Sequence, residues 1–264
     1  SQSVRQITHL SSEEIDGIVR QARANSNPLY WIDGDLLREL KPDLIITQEL
    51  CEVCAIDSGS VFETSAKVLD YQPEILTIRP NFVADILQNV RNIASSAGVF
   101  QRGDEVADLL QGRIQAVVNG VAKEGTRPRV LCLDWLDPLR NTGQWVPELV
   151  ELAGGAEQLA VAGGLSRELT WEEIIDYAPE YLMVMPCGYG PDRVRQDASE
   201  KLAHLKGWDE LPAVKLGQVF LFDGRIPTRH GPRVVDVLEG LAAAMHPQHL
   251  ADITSYEVFV KERS

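Results

Sequence analysis

An apolar stripe runs Val106, Leu109, Leu110, Ile114, Val117, Val118 and Val121 without a strand-like interruption. This is the three- and four-residue spacing of one face of a long α-helix. Gly125-Thr126-Arg127-Pro128 ends it, because proline removes a backbone donor and clashes with the turn before it. A shorter stripe, Val83, Ile86, Leu87, Val90 and Ile93, precedes it across the break Gln101-Arg102-Gly103-Asp104. A helix that long, with no strand inside it, divides the chain into two halves that must each bury a core of their own.

Both halves alternate strand and helix patterns. In the first, Ser11-Ser12-Glu13-Glu14 ahead of Ile15, Ile18 and Val19 reads as a helix start with acidic residues in its first turn. Short apolar runs at 44–47 and 74–78 read as strands, with helices over 35–40 and 57–71. In the second, strands are expected at 130–133, 181–185 and 219–223, with a weaker one near 159–161. Helices are expected at 146–153, 171–177, 192–205 and 233–245. Such alternation is the pattern of parallel sheets covered by helices. The expected division is an N-terminal α/β lobe over 1–100, a connecting long helix over 101–126 and a C-terminal α/β lobe over 127–264.

The formal net charge of −14 argues against a nucleic-acid partner, which requires clustered Lys and Arg. At 264 residues with 44% hydrophobic content, the chain can bury substantial cores. No apolar run approaches the roughly 18 residues of a membrane span. The opening SQSVRQITHLSSEEID is polar, with no secretory leader pattern in it.

In open parallel sheets, ligands bind beyond the carboxyl ends of the strands. The loops so selected are Gln48-Glu49-Leu50-Cys51 and Arg79-Pro80 in the first half. In the second they are Asp134 to Pro138, Pro186-Cys187-Gly188-Tyr189-Gly190, and Gly224 to Arg233 with Thr228-Arg229-His230-Gly231-Pro232. Aromatic residues make up only 6% of the chain, yet Trp135, Tyr189 and Trp145 fall in or beside these loops. A cleft between facing strand ends, lined by those rings, would suit a large and partly apolar organic ligand.

The runs LDWLDPLRNTGQWVPELVELAGG, LMVMPCGYG and GQVFLFDG…RHGPRVVDVLEGLAAAMHP resemble the cobalamin-binding branch of the ABC-transporter periplasmic binding proteins. KPDLIITQELCEVCA and LYWID are similar to the same branch, and the likeness covers nearly the whole chain. It implies two Rossmann-like lobes joined by a rigid helix, no catalysis, no intrinsic cofactor and no protein-bound metal. The implied ligand is a corrinoid held between the lobes and delivered to an ABC transporter permease. Haem or an iron siderophore is the alternative ligand. The implied compartment is periplasmic or membrane-associated and extracytoplasmic; the polar opening keeps a cytoplasmic location as the alternative. Family members begin with a strand, helix and strand ahead of the equivalent of Ser11-Ser12-Glu13-Glu14, which this sequence lacks. A first lobe with two strands leaves ladder groups unpaired, so association into a homo-oligomer is expected.

The ligand-binding candidates are Gln48, Leu50, Cys51, Arg79, Trp135, Leu136, Trp145, Cys187, Tyr189, Arg229 and His230. Trp135 reads as a stacking surface and His230 as an imidazole that ligates cobalt or hydrogen-bonds an amide. Trp171 and Trp208 read as structural, and His246 and His249 as surface punctuation. Cys51 and Cys54 form a Cys-x-x-Cys just past a strand. Pocket wall, reversible redox pair and half of a metal site all remain open for them. A thiol-dependent redox or metal-handling protein using Cys51, Cys54 and Cys187 is therefore the runner-up. Asp134 and Asp137 have no accompanying nucleophile arrangement, and the ligand sets of chelatase- or nitrogenase-type enzymes are not found. Transporter docking is expected through Glu52, or its neighbour Glu49, and through Glu172, with Glu173 beside it.

Overall fold

The structure, a computed structural model, describes residues 10–25, 29–49, 58–123, 125, 127–247 and 259–261. The chain divides into two compact units, Ser1–Pro80 with Gln88–Val106 and Asn81–Leu87 with Ala107–Ser264. The division passes through the long helix rather than around it.

The first unit contains α1 (Ser12–Ala24), α2 (Gly34–Leu40), β1 (Leu44–Gln48), α3 (Ser58–Val68) and β2 (Glu74–Ile78). It also holds most of α4 (Val83–Ser96) and the first turns of α5 (Phe100–Val121). Asp33 caps α2 by accepting from the backbone N–H groups of Asp35 and Leu36. Strands β1 and β2 pair in parallel with Leu44 opposite Glu74 and Gln48 opposite Ile78. Among the described residues these two are the whole sheet of this unit. No residue of β1 is fully buried, and Ile46 is 47% exposed.

The second unit is built on a five-stranded sheet of order β4-β3-β5-β6-β7. Its strands are β3 (Val130–Leu136), β4 (Leu139–Asn141), β5 (Tyr181–Val184), β6 (Val219–Phe222) and β7 (Phe259–Lys261). Strands β3, β5 and β6 run parallel, with antiparallel β4 and β7 at the edges. Helices α6 (Trp145–Leu152), α7 (Trp171–Tyr177), α8 (Pro191–Lys201), α9 (Pro212–Lys215) and α10 (Val234–Met245) complete the unit. Leu131, Leu133, Leu182, Val184 and Leu221 pack with Ile174, Val194, Leu202 and Leu211 in one apolar cluster. Helix α7 begins at a reciprocal cap in which Thr170 and Glu173 each satisfy the other's backbone N–H.

Two expectations change here. Asp134, Trp135 and Leu136, read as loop, continue β3 and turn back through Asp137-Pro138 into β4. The weak strand expected near 159–161 does not form. That segment instead carries isolated bridges on either side, at Ala156 and Glu168, and anchors through Asn141, whose amide donates to the Leu159 carbonyl at 2.5 Å.

Glu157 holds the edge of β3 where no strand does. It is 7% exposed, and its carboxyl accepts from the backbone N–H of Cys132 at 2.9 Å and of Leu159 at 3.2 Å. Burial pushes this carboxyl up to about 8, against the two backbone bonds that lower it. The folded chain therefore keeps a proton that the unfolded chain releases above its ordinary carboxylate range. Stability from this group is full at low pH and declines as pH rises toward 8. We expect the melting temperature of the wild type, relative to Glu157→Gln, to fall between pH 5 and pH 8 in a thermal-unfolding series. A difference that stays flat across that range would contradict the assignment.

Candidate functional site

The carboxyl ends of β3, β5 and β6 bring three loops together, and backbone contacts lock them. Cys187 N–H donates to the Asp134 carbonyl at 2.9 Å, joining the loop after β5 to β3. Gly188 N–H reaches the Gly224 carbonyl at 3.4 Å, joining it to the loop after β6. The Thr228 hydroxyl donates to the same carbonyl at 2.6 Å. Gly224 is required by distance: a Cβ there would sit 1.8 Å from the Pro186 carbonyl oxygen. Both clashing groups are backbone, so no rotamer relieves them. Gly224→Ala should cost about 3 kcal/mol or more of stability, measured by denaturant unfolding; wild-type stability in that variant would show that the loops are not so closely fastened.

On this base stands an aromatic pair. The rings of Trp135 and Tyr189 lie 5.3 Å apart at 49°. The Trp135 indole donates to the Asp137 carbonyl at 3.0 Å, and the Arg193 guanidinium sits 4.7 Å from the centre of the Tyr189 ring. Both rings are half-buried, leaving surface for a ligand. Asp134 accepts from the Ser166 hydroxyl at 3.2 Å, and Arg140 donates to both the hydroxyl and the carbonyl of Ser166. Arg225 grips Asp223 through two side-chain bonds of 2.8 and 2.5 Å, which hold that carboxyl below its usual range.

Trp145 occupies a different place from the one expected of it. It is 1% exposed, and its indole donates to the Pro227 carbonyl at 2.9 Å. Its ring meets His230 edge-on at 6.1 Å. It thus supports the loop that carries His230 instead of offering a face. The physical reason is its position at the first residue of α6, whose inner side joins the core through Val146, Leu149 and Val150. Burial holds the half-buried His230 imidazole below its ordinary range, so it is neutral at pH 7 and can act as a lone-pair donor or a hydrogen-bond partner. Leu136 is buried beneath the hairpin, Cys187 is half-buried at its loop, and Arg229 is exposed.

The first-unit candidates belong to the other compact unit. Gln48 ends β1, and exposed Arg79 follows β2 and pairs with Glu49. Leu50, Cys51, Glu52 and Cys54 lie outside the described residues. Cys132 is buried within β3, where burial and then Glu157 push its thiol up, making it a poor nucleophile. No group of three or more His, Cys, Asp or Glu side chains placed to hold a metal occurs among the described residues. A cavity of about 220 Å³ lies elsewhere, lined by Val118, Val121, Leu152 and Gly154 with Arg127 and Glu151. It is smaller than the roughly 300 Å³ at which ligand pockets begin.

Sequence reasoning missed Arg193, Asp197 and Lys201, although their four-residue spacing was visible within the expected helix. It also missed Ser166, which only the fold brings to Asp134.

A family model described as periplasmic binding protein matches residues 25–226. The chain belongs to this family. A curated relative, the uncharacterized ABC transporter substrate-binding lipoprotein YvrC of Bacillus subtilis (strain 168), is 22% identical over 214 residues. The match covers 79% of this chain and spans 63% of the relative's length. Among solved structures, the apo form of the periplasmic heme-binding protein RhuT from Roseiflexus sp. RS-1 superimposes with a TM-score of 0.66 at 23% identity. That match covers 82% of this chain and 80% of that one. The periplasmic vitamin B12 binding protein BtuF of Vibrio cholerae gives a TM-score of 0.62 at 19% identity, covering 81% and 78%. At these identities the likeness establishes the α/β fold of the binding proteins. Among the described residues, no helix is long and apolar enough to cross a membrane.

Proposed function

We propose that this chain is the non-catalytic, extracytoplasmic solute-binding component of an ABC transporter, and that its ligand is a large metal chelate with a flat apolar face, a corrinoid in the first instance. The single observation that carries this reading is the Trp135–Tyr189 pair at the strand ends, with its rings half-buried and His230 on an adjoining loop. Aromatic surfaces of this kind gain from both area burial and stacking. The neutral imidazole offers a cobalt ligand or an acceptor for a corrinoid amide. The names of similar structures support a macrocycle: one relative binds heme and another vitamin B12. Haem is the second reading, favoured by the same flat surface and the same imidazole.

Titration with cyanocobalamin, hemin and a ferric hydroxamate siderophore separates these ligands. The bound chelate should quench tryptophan fluorescence, and Trp135→Ala should weaken binding by about 1–3 kcal/mol, as for a desolvated aromatic anchor. Unchanged affinity in Trp135→Ala, or no binding of any of the three, would remove the ring pair from the site.

For delivery, we propose an acidic contact from each unit to basic residues of the permease. Glu172 is exposed in the first turn of α7, whereas Glu173 beside it is engaged by Thr170 and Arg167. Glu52 is the candidate in the first unit. Glu52→Lys with Glu172→Lys should abolish stimulation of transporter ATPase in proteoliposomes and leave ligand affinity unchanged. Full stimulation by that double variant would exclude these two carboxylates.

A further inference from the structure

Arg193, Asp197 and Lys201 recur at every fourth residue of α8, so they form one stripe along the helix. One end of the stripe lies over the Tyr189 ring, and the other bonds the Asp137 turn to which Trp135 donates. At the first end, Arg193 lies over Tyr189 and donates through Nε to Asp197 at 2.7 Å. Asp197 is 4% exposed, and a carboxyl group so placed is tolerated because the guanidinium partners it. Its position fixes where Arg193 can be, and Arg193 in turn limits the rotation of Tyr189. At the second end, Lys201 Nζ bonds Asp137 Oδ2 at 2.6 Å. The backbone carbonyl of that same Asp137 accepts the Trp135 indole proton. The helix therefore holds both rings by two independent arms.

We propose that Asp197 and Lys201 are positioning residues which set the angle and spacing of Trp135 and Tyr189 before the ligand arrives. The inference rests on reading that pair as the ligand platform. Rings already fixed in the unliganded protein lose little freedom on binding, a loss that would otherwise lower affinity. Neither residue touches the ligand. Each acts through a neighbour, Asp197 through Arg193 and Lys201 through the Asp137 turn.

The stripe stands apart from ordinary helix-surface pairing on the same element. Arg195 and Asp192 also pair on α8, at 3.5 Å and with Asp192 fully exposed. Exposed Asp192 of that pair supplies an internal control.

The test uses the full chain with hemin and cyanocobalamin as probes. For whichever probe binds, Asp197→Asn and Lys201→Met should each raise the dissociation rate roughly tenfold, the scale of one or two released side chains. Asp197→Glu should recover most of the loss. Near-ultraviolet circular dichroism, to which the Trp135–Tyr189 pair contributes, should weaken in unliganded Asp197→Asn and Lys201→Met alike. Lys201 is a partly exposed side chain, so Lys201→Met keeps the test available if Asp197→Asn fails to fold. Asp192→Asn should leave both readouts at wild type; if it shifts them equally, the stripe merely stabilises the helix and the proposal is overturned. If Trp135→Ala weakens the probe while both stripe variants match wild type, the positioning role is overturned and the ligand platform stands. If Trp135→Ala binds as wild type does, the platform fails, and the positioning role fails with it.

Discussion

A parallel strand cannot return directly to its neighbour; the chain must cross back over the sheet, which requires a helix or a long connection. In the second unit this constraint acts on β3, β5 and β6, whose residues are almost all buried. Each crossover puts a helix on a face of the sheet and delivers its successor strand in the same direction. The three carboxyl ends therefore collect on one edge, and so do the loops that leave them. Backbone bonds among Asp134, Cys187, Gly188 and Gly224 convert that edge into a fixed surface. The aromatic pair and His230 depend on this base, because Trp135 sits at the carboxyl end of β3 while Tyr189 and His230 lie on the loops that follow β5 and β6.

The same sheet explains where polar groups were spent. The β4 edge pairs with β3 only from Leu133 onward, so the N–H of Cys132 needs another acceptor. Glu157 supplies it, at the cost of burying a carboxyl that then holds its proton toward pH 8. Tyr177 adds a second tie, its hydroxyl lying 2.8 Å from the Ala156 carbonyl and 3.1 Å from that of Val130. Arg113 on α5 binds Asp236 and Glu239 of α10 through three bonds of 2.6–2.8 Å. These groups fasten the connections around the sheet, away from the strand ends that carry the Trp135–Tyr189 pair.

How far the sequence could be read depended on whether the deciding interaction was local. Helix α7 was legible to the residue because its cap, Thr170 with Glu173, is four consecutive positions. The helix over 83–96 and the long helix after it followed from apolar periodicity alone. The continuation of β3 through Trp135 was not legible, since Asp134, Asp137 and Pro138 read locally as turn chemistry. Only pairing with β4 makes that stretch a strand. Trp145 misled for a related reason: an aromatic residue beside a loop looks available, and only the packing of α6 shows its ring turned into the core. The stripe on α8 was spelled out at a four-residue spacing, but its meaning required knowing which side of the helix meets Tyr189 and Asp137.

On the proposed function, the ligand sits on the loops at the carboxyl edge of β3, β5 and β6. Hydrogen exchange of the backbone, followed by mass spectrometry with and without the bound chelate, tests it most directly. Saturating ligand should slow exchange in peptides spanning 134–140, 186–190 and 224–231. Protection confined to peptides around 118–127 and 150–156, where the small cavity lies, would contradict it.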